Sequence, residues 1–173
     1  MQHSGTKLVI TLIGLALLLG GISWWYRYEA AHRSTRFWGA EASWLIAESE
    51  GFEVISFEPG RSENLSTLGG IDTRANSTNL SKARGQAHLR HALMSDRNYV
   101  WGKTVDTAVT RWRWSLRFYE PNRQIHVVLS NDLSVIGKYE LADNSVTAYS
   151  CEPMTASLAE YFRALGLLNN STL

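Results

Sequence analysis

The amino-acid sequence predicts an α+β fold: an N-terminal transmembrane helix followed by a small antiparallel-sheet domain packed with two or three helices. Three observations carry that reading. Residues 8–26 form an uncharged apolar run, apolar and polar residues alternate with period two between 111 and 150, and apolar residues recur at helical spacing on either side of that region. The predicted divisions are a tail (1–7), a membrane span (8–26), a juxtamembrane helical segment (27–50), the α+β domain (51–168) and a C-terminal tail (169–173).

The first run, LVITLIGLALLLGGISWWY, holds 19 residues without a charge. As a helix it would cover roughly 28 Å, the depth of a hydrocarbon core. Its ten Leu, Ile and Val residues favour insertion, and Trp24, Trp25 and Tyr26 gather at its end, where amphipathic rings prefer a membrane interface. The lipid bilayer is therefore an expected partner. A cleaved signal peptide is the competing reading, but the bulky stretch from Trp24 to Tyr28 offers no small-residue cleavage site before Ala30 and Ala31. Arg27, Arg33 and Arg36 outnumber Lys7 across the run, which points the domain towards the cytoplasm by the positive-inside rule. Ala16 and Gly20 form a small-xxx-small pair that would permit close helix approach. N-x-S/T triplets at Asn64, Asn76, Asn79, Asn169 and Asn170 do not decide the side.

Beyond the run, Phe37, Ala40, Trp44 and Leu45 share a helical stripe that ends before Gly51. FEVISF (52–57) is β-branched and aromatic, and Pro59-Gly60 closes it as a strand. Residues 60–80, rich in Ser, Asn, Thr and Gly, read as a long loop. Ser81 then caps a helix, KARGQAHLRHALMS, whose buried side is Leu89, Ala92 and Leu93. Trp112, Trp114, Leu116 and Phe118 alternate with polar residues and so define one core-facing side of a strand. The turn Glu120-Pro121-Asn122-Arg123 leads to Ile125, Val127 and Leu129, which repeat the period as the second arm of a hairpin. Strands over 133–141 and 145–150 extend it into a meander of four or five strands. A last helix opens near Pro153, presents Leu158, Tyr161, Phe162 and Leu165 on one face, and ends at Gly166.

The stretches LRHALMSDRNYVWG, WRWSLRFY, QIHVVLS and CEPMTASLAEYF, between Leu89 and Phe162, resemble a group of small bacterial proteins with no established activity. In that group a helix ending before a segment like Asp96-Arg97-Asn98-Tyr99-Val100-Trp101 precedes three strands and a closing helix. The resemblance implies this order of elements and carries over no functional residue.

Charge and cysteine content narrow the chemistry. With 17 basic and 16 acidic residues the net charge is +1, too balanced for bulk attraction to nucleic acid, which is not expected as a partner. One cysteine, Cys151, excludes an intrachain disulfide and any multi-cysteine metal site. Arg111, Arg113 and Arg117 share the outer side of one predicted strand with Tyr119, and His126 lies on its neighbour. Guanidinium groups so placed suit phosphate or carboxylate, although arginine stems on a solvated sheet face serve equally as cover for apolar surface. His88 and His91 stand three apart on a helix, too few ligands for a metal unless other groups converge. Cys151 precedes a helix N-terminus that would favour a thiolate, yet no local base accompanies it. Phosphate loops, G-x-S-x-G and H-E-x-x-H are missing, and Gly69-Gly70-Ile71-Asp72 lacks the flanking strand and helix of a phosphate cradle.

No cofactor or metal is expected. The sequence reads as a membrane-anchored, non-enzymatic adaptor or subunit of a larger assembly with an unidentified protein partner. A membrane-tethered enzyme or anion-binding domain using Cys151 or the Arg111, Arg113 and Arg117 face is the alternative. A pilin-like subunit is a third reading, weakened by the lack of an acidic residue at Gly5-Thr6-Lys7-Leu8-Val9-Ile10.

Overall fold

The pairing of neighbouring strands builds a six-stranded antiparallel sheet, seen in a computed structural model that describes residues 3–30, 32–57, 77–103 and 105–168. Chain order is α1 (His3–Ala30), α2 (Arg33–Trp38), α3 (Ala40–Glu48), β1 (Gly51–Ser56), β2 (Ser77–Asn79), α4 (Gln86–Met94), β3 (Trp112–Glu120), β4 (Arg123–Ser130), β5 (Val135–Glu140), β6 (Ser145–Ser150) and α5 (Thr155–Ala164). The strands lie in the order β2-β1-β3-β4-β5-β6, so β3 to β6 form the expected meander and β1 adds to its first edge. The α+β class stands, with six strands. Asn79 of the sequons falls in β2, which pairs with β1 inside the stretch expected to be loop; Gly69-Gly70-Ile71-Asp72 and the other sequon asparagines lie outside the described residues.

One side of the sheet carries the core. Leu116 opposes Val127 and Phe118 opposes Ile125 across β3 and β4, and Phe52 of β1 stacks on Phe118 at 4.9 Å. Leu45 and Ile46 of α3, Leu89 and Leu93 of α4, and Leu158 and Phe162 of α5 pack into the same cluster. Each such side chain, once fully buried, stabilises the fold by roughly 1.5–3 kcal/mol. Helices α2 and α3 are separate because Gly39 between them adopts φ 78°, a left-handed value that a helix interior does not accommodate. Gly85, at φ 83°, likewise starts α4 later than the sequence suggested. Ser81 does not cap that helix; its hydroxyl accepts the Phe52 amide at 2.9 Å.

Strand β3 departs from strict period two at its start. The register slips between Trp112 and Trp114, where β4 advances only from Ser130 to Leu129. The bulge reverses the pleat, so Trp114 enters the helix-covered core while Trp112, expected beside it, packs on the opposite face with Val128 and Tyr139.

The N-terminal helix also departs from expectation. Among the described residues no helix is long and apolar enough to cross a membrane. The span over Leu8–Tyr26, the single-pass localisation and its orientation are withdrawn on that finding. Trp24 and Trp25 are exposed, and the side chain of Tyr26 lies outside the described residues. Trp24 stacks on Tyr28 at 5.7 Å, and Tyr28 meets His32 at 4.3 Å.

Candidate functional site

The three arginines of the expected anion face do not converge. Arg111 is exposed just before β3, Arg113 sits at the bulge with its guanidinium 5.5 Å from the Trp114 ring centroid, and Arg117 is half-buried. Arg117 donates to Glu53 Oε1 at 2.7 Å and to Gln124 Oε1 at 2.8 Å, while its plane covers the Tyr119 ring at 4.8 Å. Two acceptors and a ring therefore already engage the cation that an anion would need.

On the neighbouring strand β4, His126 opposes Arg117 and its Nδ1 lies 3.1 Å from the Ser115 hydroxyl. Burial, with a smaller contribution from the Arg117 charge, lowers the His126 pKa to about 4. Ser115 is fully buried and His126 is 3% exposed, so this pair is a satisfied polar contact within the sheet rather than an accessible nucleophile and base.

Cys151 behaves similarly. Its thiol is completely buried, Sγ lies 3.2 Å from the Leu133 carbonyl as a donor, and burial together with the Asp132 charge raises its pKa to about 12. Thiolate chemistry is disfavoured at that position. His88 and His91 are both exposed on α4, and no cluster of three or more metal-ligating side chains occurs among the described residues.

What the sequence did not disclose is an interlocked region joining α2 to the segment after α4. Asp96 Oδ1 accepts the amide of Ser34 in the first turn of α2, where a carboxylate complements the helix dipole, and the Ser34 hydroxyl donates to the Met94 carbonyl at 2.7 Å. Trp38 Nε1 donates to the Leu93 carbonyl at 3.0 Å, and the Tyr99 hydroxyl donates to the same oxygen at 2.5 Å. Trp101 Nε1 donates to the Asp96 carbonyl at 2.9 Å. The DRNYVW segment thus anchors the helical layer, which gives Asp96, Tyr99 and Trp101 a structural role.

These bonds leave an aromatic surface beside β6. Trp101 and Tyr149 meet at 4.9 Å, Phe37 meets Tyr149 edge-on at 5.1 Å, and Phe37 lies 6.4 Å from Trp101. They line an open groove of 460 Å³ together with Thr147, Gly102, Arg33 and Arg36. An aromatic cluster brought together from α2, the DRNYVW segment and β6 carries no local spacing signal, because Phe37, Trp101 and Tyr149 stand far apart in the chain.

A second exposed surface is α1. Val9, Ile10, Leu12, Ile13, Leu15, Leu17, Leu18, Leu19 and Ile22 are all between 53% and 73% exposed. Since these positions fall on every side of a helix, α1 presents apolar surface all round. Comparison with known proteins adds nothing to this geometry: no family model, no curated protein and no solved structure matches the chain.

Proposed function

We propose that the chain is a non-enzymatic binding module, an adaptor or subunit of a larger assembly, with α1 buried against partner protein. The observation that carries this reading is the uncovered apolar surface of α1, on which Leu17 is 73% exposed. Side chains of this kind over some five turns amount to roughly 1,000 Å², comparable to one side of a standard protein interface and larger than the apolar patches monomers usually leave in water. At the same time the groups that suggested chemistry are engaged or buried: Arg117 by Glu53 and Gln124, His126 by Ser115, and Cys151 beneath the sheet end. Nothing about them favours catalysis over packing.

The test is photo-crosslinking in cells with p-benzoylphenylalanine in place of Leu17, and in place of Val109 as an exposed control outside the helix. A discrete protein adduct from position 17, absent from position 109, is the expected result. Adducts to lipid alone, or an uncrosslinked monomer throughout, would overturn the reading.

A further inference from the structure

The two edges of the sheet differ. β2 is three residues long, a short edge that offers little template to another strand. β6 is six residues long, reads SVTAYS, and contains neither a charge nor a proline, the usual devices that protect an edge. On its inner side β6 pairs with β5 from Ser145 to Ser150. Among the described residues its outer side is engaged only at one end, where the Val100 amide donates to the Ser150 carbonyl at 2.9 Å. Because the Ser150 carbonyl points outward, strand periodicity turns the backbone N–H and C=O groups of Ala148 and Val146 outward as well. Among the described residues these groups take no partner beyond β5.

The aromatic groove runs alongside that edge. Thr147 and Tyr149 of β6 form one wall, and Phe37 and Trp101 continue it. A chain lying against β6 would place alternate side chains over this groove, the arrangement by which an edge strand gains affinity from backbone bonds and specificity from pockets. Charge sets the preference. Arg33 and Arg36 line the groove, and no acidic residue among the described ones does. Arg33 is exposed and makes no ion pair among the described residues.

We propose that β6 and its groove receive an extended acidic segment of a partner protein as a seventh strand, with an aromatic or large apolar side chain of that segment seated between Trp101, Tyr149 and Phe37. The proposal rests on the reading of the chain as a binding module, but on a surface separate from α1.

The experiment uses the full chain and a fluorescein-labelled probe, Thr-Glu-Thr-Phe-Thr-Glu-Thr, whose Glu and Phe side chains share the face turned to the groove, beside the same peptide with lysine at each glutamate. Fluorescence anisotropy is expected to show the acidic probe binding at least tenfold more tightly, with slowed amide exchange at Val146 and Ala148. Arg33→Glu is expected to remove that preference or reverse it. Ala148→Pro, which deletes an outward N–H, is expected to weaken binding at least tenfold; Thr147→Trp, which fills the groove without touching the backbone, supplies the same test should the proline variant fail to fold. Failure of the acidic probe to bind the wild-type chain, or equal binding of both probes, overturns the proposal. So does a dimer by light scattering that Ala148→Pro dissociates, since a second copy then occupies the edge. If the probe fails while Leu17 still crosslinks to protein, the edge assignment alone falls; if both fail, the binding-module reading falls with it.

Discussion

Arg90 Nη1 donates to the carbonyl oxygen of Ile46 at 2.6 Å, and its Nη2 donates to the carbonyl of Ser49 at 2.7 Å. A side chain of α4 thereby satisfies the free carbonyls at the end of α3, where the helix dipole is negative. The same guanidinium lies 5.1 Å from the centroid of Phe118, so one residue ties α3, α4 and the sheet core together. Burial lowers the Arg90 pKa, with the Glu48 charge acting in the opposite direction.

Removing that clamp leaves buried carbonyls without a donor. Arg90→Met is expected to destabilise the chain by roughly 2–4 kcal/mol in urea denaturation, since hydrogen bonds to a charged group contribute about 1.5–3 kcal/mol each. Arg90→Lys should recover less than half of the loss, because one ammonium does not reproduce the planar fork that reaches both carbonyls. Equal stability of the methionine variant and wild type would show the clamp to be energetically idle.

His126 predicts a defined pH dependence. Its pKa falls from an ordinary 6.5 to about 4 in the folded chain. The folded state therefore binds its proton less readily than the unfolded state. Above pH 6.5 both states are neutral and the group has no effect. Between 6.5 and 4 the unfolded state takes up a proton first, and stability declines by roughly 3 kcal/mol in all, since each tenfold change in proton affinity corresponds to about 1.4 kcal/mol. Below 4 the loss is complete and constant. Denaturation series from pH 7.5 to 4 on wild type and His126→Gln should show this component only in the wild type; identical slopes would contradict it.

Gly137 sits in β5 with no room for a side chain. A Cβ there would lie 2.6 Å from Val146 Cγ1, 3.1 Å from Val128 Cγ2 and 3.2 Å from the Trp112 ring. Gly137→Ala is expected to cost about 1–3 kcal/mol through overpacking of the Trp112, Val128 and Tyr139 cluster. The companion change Val146→Ala should relieve much of it, and thermal denaturation of the double variant provides the check.

Cys151 should be inert while the chain is folded. With its thiol fully buried and its pKa raised to about 12, labelling by dithionitrobenzoate is expected to follow unfolding rather than solvent access. Stoichiometric reaction within seconds in native buffer, at the rate seen in guanidinium chloride, would be incompatible with this burial.

Local pattern was enough to place the strands from Trp112 to Ser150 and their meander, because period-two alternation and the turns at Glu120–Arg123, Ser130–Asp132 and Ala142–Asn144 belong to short stretches of chain. It was also enough for a helix at the N-terminus, though not for its reading as a membrane span, and for a final helix packed through Leu158 and Phe162. Hydropathy alone did not establish what surrounds that first helix, since apolar side chains suit lipid and protein neighbours alike. Everything else came from contacts between distant parts of the chain. A single extra residue at Arg113 reversed the side on which Trp112 packs, a phase shift invisible to any periodicity count. The pairing of Arg117 with Glu53, the clamp from Arg90 to Ile46 and Ser49, and the groove of Phe37, Trp101 and Tyr149 all join residues far apart in sequence. Whether an arginine on a strand is a free cation or half of an ion pair depends on what the neighbouring strand brings opposite it, and only the folded register supplies that neighbour.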